Sequence, residues 1–564
     1  MINKDYEVSE CDVLVAGGGI AGLMAAIAAA QKGAKVIVAE KANTLRSGSG
    51  ATGCDHFFCY IPEEHGDFAT ALEELSNSQG GQIGRVDPAL QKIFLERTHE
   101  VAEDWLRWGI NMKPHGKWEF NGHTLPGHTC HWLKYDGKQQ KPILTKVAKE
   151  NGVIIDNKTV IQEFLLDKDK KICGAISLDV SNDIPAIKIY KTQSIVVSTG
   201  IAMRLYPSIT PGWIFNACNC PAGTATGRAA AFKAGASLVN MDILWVHSGL
   251  RYFERVGKST WIGVMKDSEM KQTSPFVKVA TKEKADITGD IWGNIFPEKM
   301  NNGTGPVFMD CTETSDDDKE YMKWGMACEG CTSVLELMNQ SDIDLDKHMV
   351  EFGRYNPILQ GNGIQINTSG ESDIEGLYCA GDELGNFNCG IAGAAVTGRI
   401  AGENAAEFVK SHKYTLDSKS DNLLESQQIR DFRELCETLT DRKEGAHWSE
   451  LNLAIQQVMD DYCGLKYKRS RTMMSAGLSY LKEIEKRAKL SIKCDNSHEL
   501  MRALESFDLL LMGKIVISCA LERKESRGMH QRADYTYTNP LLNKQFLAVR
   551  QENGELKFQW REKF

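Results

Sequence analysis

Residues 11–53 read CDVLVAGGGIAGLMAAIAAAQKGAKVIVAEKANTLRSGSGATG, and the fold follows from this stretch. Val13–Ala16 is a short apolar run, long enough for a buried strand. Gly17, Gly19 and Gly22 come next at G-x-G-x-x-G spacing. Residues 23–31 then have helix-forming composition, and 34–39 form a second, β-branched run ending at Glu40. Each glycine has a separate physical reason. Gly17 permits the tight turn, Gly19 lets a pyrophosphate reach the backbone, and Gly22 lets helix and strand pack closely. The pyrophosphate would sit on the helix N-terminus at Ile20 and Ala21, where free N–H groups and the dipole favour anions. Glu40 stands at the end of the second strand, where a carboxylate can bind ribose hydroxyls. Glycines alone would mark a turn, but strand, glycines, helix, strand and terminal acid together point to a dinucleotide site.

The 564 residues suffice for several domains. Charged residues make up 25% and the net charge is −9, a mildly acidic balance that speaks against a nucleic-acid partner. No apolar run reaches the ~18 residues of a membrane span, and 507–520, interrupted by Lys514, reads as a buried helix. The start, MINKDYEVSECD, lacks the plan of a signal peptide. Sixteen cysteines in such a chain point to reduced thiols and a cytoplasmic setting. Cys218-x-Cys220 and Cys328-x-x-Cys331 each lack a second pair, so no thiolate-bound metal or cluster is expected. His115, His123, His128 and His131 fall in a loop-like stretch, 113–141, at spacings that fit no usual ligand pair. They read as loop or pocket histidines, and no metal is expected.

Outward from the first unit, the block after Gly53 is irregular and aromatic. Residues 68–108 carry apolar positions at helical steps, 142–152 reads as a helix, and VIIDNKTVIQEFLL and KKICGAISLDV alternate as a strand meander. SIVVSTG (194–200) is a strand ending in Thr199-Gly200, which allows close backbone approach to a cofactor. An Ala-rich helix follows within 223–242, then a strand into Trp245-Val-His247. From 248 to 355 the chain is polar and broken by glycines, with a solvated run at 315–320, and reads as a lid-like insertion. The segment 363–409 holds a short strand, the acids of Gly381-Asp382-Glu383, and a glycine-rich turn. It then opens a helix at Gly390-Ile-Ala392-Gly393-Ala394, a second anion-facing N-terminus. Residues 423–522 are mostly helical, and Asn553-Gly554 centres a C-terminal hairpin. The expected chain is therefore α/β with a Rossmann-type nucleotide-binding domain split between 1–247 and 356–410. A capping α+β domain occupies 248–355, a helical domain 411–530, and a short β tail 531–564.

Three landmarks in this order, GGGIAG, the STG strand and GLYCAGDE followed by GRIAG, resemble the flavoproteins of the succinate dehydrogenase/fumarate reductase family over nearly the whole chain. ALERKESRGMHQRADY (520–535) resembles the family's link between helical domain and tail. LRSGSGATG, YDGKQQKPIL (135–144) and GPVFMDCTE (305–313) are most similar to the alpha chain of adenylylsulfate reductase, whereas the aromatic block after Gly53 departs from it. The resemblance implies FAD, held by Gly17, Gly19, Ile20, Ala21, Gly22, Glu40, Lys41, Arg46, Ser47, Gly48, Thr52, Gly53, Thr199, Gly200, Gly381, Asp382, Gly390, Ala392, Gly393 and Ala394. Gly48 stands where covalent members carry the histidine bonded to the flavin, so non-covalent FAD is expected.

On the substrate side, His247 aligns with a family histidine that holds a dicarboxylate; the alternative is a satisfied histidine at a domain junction. The family's arginine before the last glycine loop and its CRGEGG-like arginine segment are missing. Arg251 and Arg255 are candidate replacements, or else surface charges. Without two clamping cations, tight dicarboxylate binding is disfavoured. Trp213 could stack on a planar group or pack in the core. With no second nucleotide unit and no cluster ligands, the resemblance implies electron exchange with a ferredoxin-like iron–sulfur protein, in a hetero- or homo-oligomer. The leading expectation is an FAD-dependent oxidoreductase acting on a small anion. The alpha chain of adenylylsulfate reductase itself and an electron-transfer flavoprotein component without its own substrate are the alternatives.

Overall fold

Val13–Ala16 sits in the middle of a five-stranded, wholly parallel sheet. Its neighbours are Ser194–Val197, backed by Leu377–Cys379, on one side and Val36–Glu40, backed by Ile154–Asn157, on the other. The first three strands are buried on both faces, which explains why they read as continuous apolar runs. The computed structural model describes all residues except 1, 4, 79–84, 123, 125–126, 209–212, 252–258, 274–276, 285–293, 413–422 and 564. Two helices, Ile20–Gln31 and Gly390–Ser411, pack on each other beside this sheet. Their contact is backbone to backbone: a Cβ at Gly398 or Gly402 would collide with the carbonyl oxygens of Ala21 and Ala25. Two N-termini from opposite ends of the sequence are thereby brought together.

The meander is present as Thr159–Leu166, Ile172–Asp179 and Ala186–Lys191, with Glu7–Glu10 added in parallel at its edge. The helices Phe68–Ser78 and Pro88–Trp108 replace the single helical stretch of 68–108. Two readings are corrected. The stretch 113–141 is not all loop, because Trp132–Lys134 pairs antiparallel with His56–Phe58 from the aromatic block. The strand expected to lead into His247 begins after it, at Ser248–Leu250. Trp245 makes only an isolated bridge to Ile358.

Between 248 and 355 a four-stranded antiparallel sheet runs Ser248–Leu250, Val350–Arg354, Val307–Asp310, Val264–Lys266. It has its own apolar cluster, including Trp261, Met309, Met322 and Phe352. The acidic run at 315–320 opens the helix Asp316–Cys328. Ser315 caps it, and three aspartates in the first turn oppose the helix dipole. Further on, Gln427–Asp441, Trp448–Cys463, Arg471–Ser491 and Ser497–Glu522 form the helical part. Lys514, in the most apolar stretch of the last helix, pairs with Glu485 at 2.6 Å on its neighbour. Among the described residues no helix is long and apolar enough to cross a membrane, and all sixteen cysteines are unpaired.

The C-terminal hairpin, Gln545–Glu552 and Glu555–Glu562, turns at Asn553 and Gly554 with φ of 51° and 79°, as a two-residue turn between twisted strands requires. It is no free tail. Its first strand pairs with Leu238–Val239, which pairs in turn with Gly363–Ile364.

Candidate functional site

At the end of Val13–Ala16 the chain turns at Gly17 with φ 102°, a left-handed conformation that favours glycine. A Cβ there would lie 2.6 Å from Ser198 O. A Cβ at Gly22 would collide with the Gly17 carbonyl and approach Ser198 Oγ to 2.7 Å. Strand, turn and helix thus fit only without side chains at these two points. Gly19, by contrast, faces open space. It is the N-cap of Ile20–Gln31 and no side chain caps that helix, so the first-turn amides are available to an anion. Glu40 is buried and braces the turn, accepting Gly18 N at 2.7 Å and Ala42 N at 2.7 Å. Lys141 bonds the Gly18 carbonyl from beneath, and burial pushes its ammonium down to about 8, against the pull of Glu40. Lys41 is engaged elsewhere, paired with the fully buried Glu505 at 2.6 Å. Burial alone would raise Glu505. Lys41, Arg204 and Arg502 outweigh it and hold the carboxylate at about 2.

The segment 46–53 crosses both helix N-termini, since a Cβ at Gly50 would meet Ile20 at 2.8 Å and Ile391 at 3.0 Å. Arg46 and Thr52 are exposed. Ser47 is buried and its Oγ has no hydrogen-bond partner among the described residues. Gly48 has φ 82°, with its Cβ direction 3.7 Å from Gly19 Cα, so the two predicted contact points adjoin. Gly53 packs so tightly on the Cys328 carbonyl that any Cβ would collide with it.

Past the neighbouring strand, Gly200 has φ 86° and faces open space. Thr199 Oγ1 bonds Glu383, whose other oxygen takes Arg228 Nε at 2.9 Å, with both charged side chains fully buried. Arg228 also reaches the Asp382 carbonyl at 3.0 Å and that of Gly200 at 3.4 Å. It thereby fastens Thr199-Gly200 to the turn at Gly381. The second helix starts after Cys389 without a side-chain cap, and Gly390 faces open space. Ala392, Gly393 and Ala394 follow, buried in its first turns.

Beside this turn, burial pushes the Asp382 carboxyl up to about 6. Gln360, which donates Nε2 at 3.0 Å, Arg228 and His247 all pull it back. His247 lies edge-on to Trp245, at 6.4 Å between ring centroids, and its carbonyl accepts Tyr355 N at 2.8 Å. On Trp245 lies the guanidinium of Arg85, 5.2 Å from the ring centroid. Arg85 donates to Gln360 O at 2.6 Å, while its buried Nε has no hydrogen-bond partner among the described residues. Burial lowers Arg85 to about 10, with Asp242 opposing. Arg251 turns instead to Glu351 across the sheet edge, and Arg255 lies outside the described residues. Trp213 is 69% exposed, so core packing is not its role. Arg85, Lys141, Arg228 and Gln360 escaped the sequence reading, because no motif spacing marks them; only the fold assembles them.

The chain therefore offers a groove with three side-chain-free points (Gly19, Gly200, Gly390), two uncapped helix N-termini and an orphaned buried hydroxyl. This suits an extended dinucleotide with phosphates at one helix and a polar ring edge at the other. Comparison with known proteins agrees. Residues 12–397 match the FAD binding domain family, and 452–562 match the fumarate reductase flavoprotein C-terminal family. The first chain of the fumarate reductase (CoM/CoB) from Methanothermobacter marburgensis is 23% identical over 581 residues, covering 97% of this chain and 98% of that protein. Among solved structures, adenylylsulfate reductase of Archaeoglobus fulgidus has a TM-score of 0.83 at 20% identity, covering 99% of this chain and 98% of that one. A chain of E. coli quinol fumarate reductase has a TM-score of 0.82 at 19% identity, covering 99% and 97%.

Proposed function

The chain belongs to the FAD-binding flavoproteins of the fumarate reductase/succinate dehydrogenase family, and from that premise we propose that it is the flavoprotein subunit of an enzyme exchanging electrons between a small anionic substrate and an iron–sulfur partner protein. It is an FAD-dependent oxidoreductase, and bound FAD supplies the two-electron chemistry. The protein contributes position and charge. The amides at Ile20–Gly22 hold the pyrophosphate, Ser47 Oγ and Gly48 flank it, and the N-terminus at Gly390 favours negative charge at the flavin ring. In this reading the FAD is held without a covalent bond.

One observation supports a small anion above all: the buried Arg85 guanidinium with an unpartnered Nε, backed by Trp245 and set in the same cluster as Gln360, Asp382 and His247. A buried cation whose donors are not all used is a ready partner for a carboxylate, phosphate or sulfate. Asp382, titrating near 6, and His247 are the groups able to hold a proton there. The segment 248–355 would close over the substrate and exclude water. The sequence blocks at 45–53, 135–144 and 305–313 favour adenylylsulfate as that anion over fumarate.

The test is anaerobic oxidation of reduced viologen by the flavin-loaded protein, with adenylylsulfate and fumarate offered separately. Turnover of either, lost in Arg85→Gln with flavin content unchanged, supports the proposal. No turnover of any small anion by a fully loaded chain would replace it with the electron-transfer role.

A further inference from the structure

Where the aromatic block begins, a second constellation lies apart from the groove. The consecutive residues Cys54, Asp55 and His56 bring a sulfur, an oxygen and a nitrogen within 4.8 Å of one another. Glu329, just past the helix Asp316–Cys328, adds an oxygen from far along the chain. Around His56 Nδ1 stand Asp55 Oδ1 at 2.5 Å, Glu329 Oε1 at 3.7 Å and Cys54 Sγ at 3.9 Å. All are withdrawn from solvent: Cys54, Asp55 and Glu329 are 7%, 0% and 9% exposed, and the imidazole 19%.

The far oxygens of both carboxylates are already anchored. Asp55 Oδ2 accepts Lys134 Nζ at 2.7 Å and Thr260 Oγ1 at 2.8 Å, and Glu329 Oε2 accepts Thr260 N at 2.8 Å. Each carboxylate therefore turns its other oxygen toward the imidazole. This is the arrangement of outer hydrogen bonds that orients metal ligands.

We propose that Cys54, Asp55, His56 and Glu329 form a structural zinc site. Thiolate and imidazole together select zinc over magnesium or calcium, and four protein ligands leave no open position, as structural sites require. Zinc–ligand bonds of about 2.0–2.3 Å place tetrahedral ligand atoms roughly 3.3–3.6 Å apart. Two of the three separations from Nδ1 are within a few tenths of an ångström of that range, and the Asp55–His56 contact opens by roughly 1 Å as one side chain rotates. The charges also balance: a divalent ion, one thiolate, two carboxylates and the Lys134 ammonium sum to zero, as burial demands. The ion would tie the strand His56–Phe58 to the end of the helix Asp316–Cys328, joining the nucleotide-binding part to the segment 248–355. The spacing rules miss this set because three ligands are adjacent and the fourth is remote.

The test uses untagged, flavin-loaded full-length protein dialysed against metal-free buffer, with metal measured by plasma mass spectrometry. The expectation is one zinc per chain. After chelation the protein should take up one Co2+, giving tetrahedral ligand-field bands to the red of oxidised flavin, and these should shift in Cys54→Ser. His56→Ala should lose the metal and Cys218→Ala should keep it. Wild-type protein that carries no stoichiometric zinc and takes up no cobalt overturns the proposal, leaving an ion-pair network. So does zinc retained in full by both His56→Ala and Cys54→Ala. If the variants do not fold, the wild-type measurement decides alone, and none of these readings depends on turnover.

Discussion

Glu505→Gln tests the electrostatics that fasten the helical part to the first nucleotide-binding unit. Glu505 is fully buried and is held by Lys41 at 2.6 Å, Arg204 at 2.5 Å and Arg502 at 2.8 Å. Its carboxyl is lowered from 4.5 to about 2. A shift of about 2.5 units at 1.36 kcal/mol each is worth about 3 kcal/mol of folding free energy at neutral pH. Removing one charge from a buried cluster gives a similar figure, about 3–5 kcal/mol, because the cations are left without a counter-charge. At about 2.1 cal/mol/K per residue, about 3 kcal/mol lowers Tm by roughly 3 °C if all 564 residues unfold together. The drop is larger if the helical part leaves first. The sign in pH follows from a depressed folded-state pKa. The contribution is present above about 4.5 and is lost as pH falls toward 2. Thermal unfolding of wild type and variant from pH 8 to pH 3 should show a constant gap that narrows below about 4.5. A variant as stable as wild type at pH 7, or a gap that persists unchanged into strong acid, refutes this account of the cluster.

Gly19→Ala should leave the apoprotein's Tm within about 1 °C, since its Cβ meets nothing, yet weaken FAD binding by crowding the pyrophosphate; full flavin occupancy would count against the placement. Gly22→Ala meets backbone in the fold itself and should destabilise even the apoprotein by about 1–3 kcal/mol, measured by chemical unfolding. Acid precipitation should release the flavin into the supernatant, because Gly48 offers no nucleophile; yellow colour in the pellet contradicts that. His247→Ala should lower kcat/KM while flavin content stays constant, and unchanged steady-state kinetics would remove His247 from the substrate side.

What was legible in the sequence was local. Gly17-x-Gly19-x-x-Gly22 between two apolar runs, Thr199-Gly200 after a strand and the Asn553-Gly554 turn each carry their reason within a few residues, and each element appears near its expected place. Helix starts shifted by two or three positions, as at Ile20, because the helix begins inside the glycine motif. What was not legible depends on long-range pairing. Arg228 reads as a residue of an Ala-rich helix, yet it joins Thr199 and Glu383 only because three distant segments converge. Arg85 precedes a helix cap and carries no motif, and only the packing of Trp245 and Gln360 around it makes it a buried cation. Arg251, attractive by its nearness to His247 in sequence, is drawn off by Glu351 because adjacent strands place them side by side.

The pairing of the last hairpin with Leu238–Val239 bears on the order in which this protein can be made. During synthesis, residues 238–239 and 363–364 leave the ribosome long before 545–552, so this sheet stays open along one edge until nearly the whole chain is out. An exposed strand edge invites pairing with other chains. Late-stalled or C-terminally nicked products would therefore associate rather than rest as soluble fragments. Because Leu238–Val239 lies between the Arg228 helix and the Trp245–His247 segment, the same late strand would also govern when the substrate side takes its shape.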